Sequence, residues 1–282
     1  MADELRIVAL DLDGTLLDSQ KRLSEVNRSA LERAAAKGAL IVPTTGRFFG
    51  MMPPAIRDLP FVRYAITING AQVYDRETDT AIVREEIPLA VAREVMSLLD
   101  GYDVIYDCYR NNWGWMNEAF KAKSIDYATD AHYLKMIAEF RRGVPELKAH
   151  LAATADEGDV QKIMLFTSLD AEKGATREIA EAIRERFPQL KVTSSTWNNL
   201  EINIRTAHKG QALGRFAEEL GLTLANCIAF GDGANDLTMV EAAGTGVAMA
   251  NACPEVLAAA NWVTTSNDED GVAAALEHFH LA

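Results

Sequence analysis

The chain reads as a doubly wound α/β fold, a parallel sheet covered by helices on both faces, interrupted by an inserted α+β domain. Three observations predict it. Short apolar runs alternate with helical spacing at both ends of the sequence. Polar, glycine-containing turns follow directly on those runs, as at the ligand-binding edge of an open sheet. Between the two ends the rhythm breaks, and most of the tyrosines and tryptophans gather there. The expected division is a core from 1–82 and 201–282, with the insertion at 83–200.

The first run, Arg6-Ile7-Val8-Ala9-Leu10, has the uniform apolarity of a strand buried on both faces. Residues 24–36 carry helical spacing, with Ser24 as the N-cap and Gly38 as the stop. Leu40-Ile41-Val42-Pro43 predicts the second strand and Tyr64-Ala65-Ile66-Thr67-Ile68 the third. Asn69-Gly70 then turns into Ala71-Gln72-Val73-Tyr74 as a hairpin. Within the insertion, helices are expected over 89–99 and 175–187. Strands are expected over 102–107, 163–166 and 201–204, and near Val192. Trp113 and Trp115 flank Gly114 and are read as straddling a strand, one of them facing a cleft. Pattern leaves 117–159 undetermined. The α/β rhythm returns with a helix over 211–220 and the strand Asn226-Cys227-Ile228-Ala229-Phe230. A helix from Leu237, the strand Gly246-Val247-Ala248-Met249 and a helix over 271–279 close the chain.

Composition narrows the function. A net charge of -13 and a pI near 4.9 disfavour a nucleic-acid or anionic-membrane surface. No apolar stretch approaches the roughly twenty residues of a membrane span. The start Met1-Ala2-Asp3-Glu4 lacks the apolar segment of a signal peptide. Cys108, Cys227 and Cys253 suit neither a disulfide framework nor a zinc site. The expectation is a cytoplasmic protein with a small-molecule partner, without nucleic acid or membrane. Its oligomeric state is not legible.

The chemistry gathers where strands end. Asp11 and Asp13 follow the first strand, and period-two geometry sends both toward one side. Two carboxylates so close need a cation or a shared proton, and a hard divalent ion takes oxygen ligands. Thr45, Gly46 and Arg47 follow the second strand; Asp232, Asn235 and Asp236 follow the Phe230 strand; Lys209 opens the helix before it. A parallel sheet brings these ends together. Asp11, Asp232 and the backbone carbonyl of Asp13 would hold Mg²⁺. Thr45 and the Gly46 amide would donate to a phosphoryl oxygen. Lys209 would add charge to the phosphoryl group and steady Asp11. Asp236 would orient Lys209 or the metal ligands. Asp11 would be the nucleophile and Asp13 the general acid and base. One ion can serve Asp11 and Asp232 only if they lie within about 10 Å of each other.

Taken in order, four segments resemble the motifs of the haloacid dehalogenase superfamily. They are Asp11-Leu12-Asp13-Gly14-Thr15-Leu16, Thr45-Gly46-Arg47, Lys209-Gly210 and Gly231-Asp232-Gly233-Ala234-Asn235-Asp236. The likeness is greatest to its Cof-type phosphatases with a type IIB cap. Thr67-Ile68-Asn69-Gly70-Ala71 and Asp270-Gly271-Val272 are similar to that family as well. The resemblance implies a Rossmann-like core, a substrate-selecting cap, Mg²⁺ as cofactor and an aspartyl-phosphate on Asp11. It makes Asp11, Asp13, Thr45 and Lys209 catalytic, and Asp11, Asp13 and Asp232 the metal residues. Gly46, Arg47, Lys209 and Asn235 bind substrate, and Asn235 and Asp236 support. His208 and Phe48-Phe49 depart from the family's usual residues.

The expected substrate is a small phosphorylated metabolite, with sugar phosphates first and flavin mononucleotide or pyridoxal phosphate as further candidates. Two alternatives stay open. A phosphomutase of the phosphomannomutase type would need basic residues in the insertion to grip a second phosphate; Arg110, Lys121, Lys123, Arg141 and Arg142 are available. A phosphometabolite-binding protein without turnover would keep the fold alone.

Overall fold

The computed structural model describes residues 6–128, 131–172 and 174–282. In chain order its strands are β1 (Ile7–Leu10), β2 (Leu40–Pro43), β3 (Tyr64–Thr67), β4 (Gln72–Asp75), β5 (Thr80–Arg84), β6 (Val104–Arg110) and β7 (Trp113–Asn117). There follow β8 (Arg141–Val144), β9 (Lys162–Thr167), β10 (Leu190–Thr193), β11 (Asn199–Ile204), β12 (Cys227–Gly231), β13 (Thr245–Ala248) and β14 (Trp262–Val263). The chain divides into two compact units, Met1–Arg84 with Ala207–Ala282, and Glu85–Thr206.

The first unit is built on a five-stranded parallel sheet in the order β14-β13-β12-β1-β2. A parallel bridge between Thr44 and Ile66 extends it toward β3, which folds on into the antiparallel ladder β3-β4-β5. All four residues of β1 are buried, and they alternate between two cores. Val8 and Leu10 pack with Leu31, Ala34 and Leu276 on one face. Ile7 and Ala9 pack with Ala212, Phe216 and Met239 on the other. Helices therefore cover both faces, which is why the run carries no polar residue. Burying each large aliphatic side chain stabilises the unit by about 1.5–3 kcal/mol. The helix Glu25–Ala36 starts at Ser24, whose side chain accepts from the Asn27 amide at 3.0 Å.

The second unit holds a six-stranded sheet in the order β10-β11-β9-β6-β7-β8. Its pairs are antiparallel except β7 with β8. The helices Leu89–Leu99, Leu147–Ala153 and Ala175–Arg186 contribute Val95, Leu151 and Ile183 to a core shared with Tyr106, Leu165 and Ile202 of the sheet.

The structure differs from the sequence reading in four places. The boundaries fall after Arg84 rather than Ile82, because β5 runs on to Arg84, and after Thr206 rather than Leu200, because β11 pairs with β9 and β10 and so belongs to the insertion. The strand expected over 102–107 runs instead from Val104 to Arg110. The helix expected over 211–220 already begins at Lys209, with His208 as its N-cap. Trp113 and Trp115 do not straddle β7. Residues two apart on a strand share a face, and the Arg142 guanidinium lies 3.9 and 5.4 Å from their ring centres. Within 117–159 the chain forms the helices Glu118–Ala122, Ala131–Phe140 and Leu147–Ala153, with β8 between the last two. Thr129 and Asp130 lie outside the described residues.

Candidate active site

The site forms at the C-terminal ends of β1, β2 and β12, where peptide groups leave their ladders. Asp11 stays tied to the sheet, its amide donating to the Phe230 carbonyl at 3.1 Å. The side chain thus leaves the sheet at a fixed point. Lys209 is fully buried, and its Nζ donates to Asp11 Oδ1 and to Asp236 Oδ1, each at 2.5 Å. A buried ammonium is tolerable only with such partners. Its helix begins where the His208 imidazole Nδ1 accepts from the Gln211 amide at 3.1 Å. Gly210 lets that helix approach its neighbour: a Cβ there would lie 2.2 Å from the Thr238 carbonyl oxygen. His208 therefore serves as the N-cap of this helix.

Asp236 Oδ2 accepts from the amides of Asp232 and Gly233, at 3.1 and 2.9 Å. One oxygen of Asp236 fixes the Asp232 turn and the other fixes Lys209. Thr15 donates to Asp232 Oδ1 at 2.8 Å. Between these residues Gly14 has φ +90°, and a Cβ on it would stand 2.4 Å from Asp232 Oδ2. Only glycine fits that position.

Carboxylate oxygens of Asp11, Asp232 and Asp236 all lie within 4.8 Å of one another. Burial pushes the Asp11 carboxyl up to about 7; Lys209 pulls against this, while the charges of Asp236 and Asp232 add to it. Asp232 is also raised by burial, against the Thr15 hydrogen bond and with the charge of Asp236. Burial disfavours the Lys209 ammonium, but its two carboxylate partners outweigh that and keep it charged. Three carboxylates against one ammonium leave an excess of negative charge. The all-oxygen donor set fits a hard divalent cation such as Mg²⁺. Asp11 and Asp232, with the Asp13 carbonyl, would hold it; Asp236 is already occupied by Lys209 and two amides.

The Asp13 side chain turns to other partners. Arg47 Nη2 meets its Oδ2 at 2.8 Å and Lys21 Nζ its Oδ1 at 2.9 Å. Burial works to raise this carboxyl, but Arg47 and Lys21 prevail and hold it below the usual range. Arg47, expected to contact substrate, is therefore engaged with Asp13. Lys21 was not anticipated. It lies in a polar run with no local signal, and Asp18 shapes its turn by accepting from the Gln20 and Arg22 amides at 2.9 and 2.8 Å.

Thr45 is buried after β2. Its amide donates to the Ile66 carbonyl at 2.9 Å and its own carbonyl accepts from Asn69 at 3.0 Å. The hydroxyl oxygen accepts from the Arg47 amide at 3.3 Å, so its proton points elsewhere. Gly46 sits in this turn against the Asn69 side chain. Ile68 and Asn69 both take left-handed backbone, φ 55° and 58°, a strained choice for a β-branched residue. Asn235 is exposed, with its side-chain oxygen over Gly233.

Residues 8–276 match the family model described as haloacid dehalogenase-like hydrolase. The chain belongs to the haloacid dehalogenase-like hydrolases. It is 28% identical over 283 residues to the 5-amino-6-(5-phospho-D-ribitylamino)uracil phosphatase YcsE of Bacillus subtilis (strain 168), covering 99% of this chain and 97% of that one. It is 28% identical over 270 residues to the pyridoxal phosphate phosphatase YbhA of Escherichia coli (strain K12), covering 95% and 96%. Among solved structures, the subclass IIB sugar phosphatase BT4131 of this superfamily shares the fold. Its TM-score is 0.76 at 24% identity, over 98% of this chain and 100% of that one. This hydrolase therefore has the α/β core and the additional cap domain of its family. No helix among the described residues is long and apolar enough to cross a membrane.

Proposed function

We propose that this chain is a Mg²⁺-dependent phosphatase that hydrolyses a small phosphorylated metabolite through an aspartyl-phosphate on Asp11. The observation that carries the reading is the buried Lys209, bonded at once to Asp11 and Asp236, with Asp232 within 4.8 Å. The Asp11 carboxylate, steadied by Lys209, attacks phosphorus in line with the ester oxygen. Asp13 protonates the departing alkoxide and then takes a proton from the water that cleaves the aspartyl-phosphate. Its resting pairing with Arg47 and Lys21 suits the second step. An arriving phosphoryl group competes for both cations and repels the carboxylate, which raises its affinity for the proton that the first step needs. The Thr45 hydroxyl and the Gly46 amide donate to the phosphoryl oxygens, and Asn235 closes on the substrate from the surface. When bound, Mg²⁺ offsets phosphoryl charge.

A phosphate ester of a sugar, polyol or pyridoxal-like alcohol is the substrate class. The named activities of YcsE, YbhA and BT4131 support this range. Three of the five basic residues available in the insertion are engaged elsewhere, which weighs for hydrolysis over mutase chemistry. Arg141 is ion-paired to Asp107 at 3.0 Å, Arg110 bonds to Thr154 at 2.8 Å and Lys121 to the Arg141 carbonyl at 2.7 Å. The test is para-nitrophenyl phosphate with Mg²⁺, then a panel of phosphorylated metabolites in ¹⁸O-water. Labelled inorganic phosphate, lost in Asp11→Asn, supports the reading. Phosphate transfer between substrate positions means a mutase. Ligand affinity without turnover means a binding protein.

A further inference from the structure

We propose that Asn251 is a positioning residue for the metal site, an inference that rests on the function proposed above. Asn251 follows β13 and is exposed, so burial does not explain an asparagine there. Its Nδ2 donates to the Gly14 carbonyl at 2.8 Å, across 237 residues of sequence. Its Oδ1 accepts from the Asn267 amide at 3.0 Å, and Asn267 Nδ2 donates to the Leu17 carbonyl at 2.9 Å. The two asparagines thus hold the turn after Asp13 at two carbonyls. The same loop fixes the other side of the site. The Cys253 amide donates to the Asp232 carbonyl at 2.8 Å, and the Met249 amide to the Gly231 carbonyl at 3.2 Å.

One short loop therefore grips both Asp232, through its main chain, and the peptide next to Asp13, through Asn251. The grip is needed because of Gly14. With φ +90° and no Cβ, its flanking peptide planes rotate more easily than any others in the turn. The Asp13 carbonyl belongs to one of those planes and the Gly14 carbonyl to the other. Fixing the Gly14 carbonyl from outside limits the rotation that would carry the Asp13 oxygen away from Asp232. Groups bonded to a metal's ligands typically change its affinity about 10–100-fold when removed; Asn251 acts one peptide further out, through the Gly14 carbonyl.

The test is Mg²⁺ titration of the full-length, metal-stripped protein by calorimetry, with the melting temperature of the metal-free form as control. Asn251→Ala is expected to raise the Mg²⁺ dissociation constant about tenfold, the lower end for outer-shell partners, with the metal-free melting temperature nearly unchanged. Asn251→Asp keeps the shape, loses the donor and sets an oxygen against the Gly14 carbonyl; its loss of affinity is at least as large. Unaltered Mg²⁺ affinity in both variants overturns the inference, whatever happens to stability, and leaves the phosphatase reading standing. A wild-type protein that binds no Mg²⁺ overturns both.

Discussion

Lys209→Met is the most informative perturbation of this molecule. Methionine fills the buried volume but removes the ammonium that bridges Asp11 and Asp236. Their carboxylate oxygens lie within 4.8 Å. Two unit charges about that far apart repel by about 3.5 kcal/mol at an effective dielectric of about 20, and this is the ceiling of the cost, because Asp11, already raised to about 7, takes up a proton as the unbalanced charge builds. That agrees with the roughly 3–5 kcal/mol lost when one partner of a buried pair is removed. At about 2–4 °C per kcal/mol for a chain of this size, the melting temperature should fall by up to about 10 °C. Thermal unfolding of metal-free protein, followed by circular dichroism at neutral pH, measures it. Adding Asp236→Asn should restore much of the loss. The amide oxygen still accepts from the Asp232 and Gly233 amides while the second charge disappears. A coupling of this sign is expected of residues that share a partner. A Lys209→Met protein that melts within about 2 °C of wild type, or a double variant less stable than either single one, would refute the electrostatic account of the site.

Three further outcomes follow from named contacts. Asp75 is held below its ordinary 3.8 first by the two hydrogen bonds from Arg63, against the opposing effect of burial. A carboxyl lowered by folding stabilises the protein above that value and loses its effect as pH falls through the folded one; urea titrations across this range should show a flatter acid limb in Asp75→Asn. Asp107→Ala removes the buried counter-charge of Arg141 and should cost about 3–5 kcal/mol, read as earlier proteolysis within 85–206. Mg²⁺ at about 100 times its dissociation constant should stabilise the protein by about 2.7 kcal/mol, and a chelator should remove both that increment and the hydrolysis of para-nitrophenyl phosphate.

The core was legible because parallel strands buried on both faces must be apolar throughout. β1 and β12 announce themselves, and the polar turns after them carry the chemistry. The insertion obeys another rule. In β11, Asn199, Glu201 and Asn203 alternate with Leu200, Ile202 and Ile204, the pattern of an antiparallel sheet with unlike faces. That alternation marks β11 as part of the insertion, in line with the strand expected over 201–204, and a boundary at 200 cuts through it. Around 117–159 two of the three helices, Glu118–Ala122 and Leu147–Ala153, are too short for a periodicity to repeat. Asp11, Asp232, Lys209 and Asp236 sit at strand or helix ends, where sequence pattern points. Lys21 and Asn251 act from turns on residues far along or folded back in the chain, and no local pattern encodes such a meeting.

The position of β1 in its sheet governs how this protein comes into being. β1 lies between β2 and β12, so its two neighbours leave the ribosome at very different moments. The β2 side can pair early; the other side stays bare until Cys227–Gly231 has been made. Until then Leu10 lacks one flank and Asp11 has neither its amide acceptor at Phe230 nor its ammonium partner. A nascent chain thus carries Asp11 early and completes the surroundings of that carboxylate last. Meanwhile the half-finished sheet offers an unpaired hydrophobic edge to whatever chaperone, or neighbouring chain, arrives before its own C-terminal third.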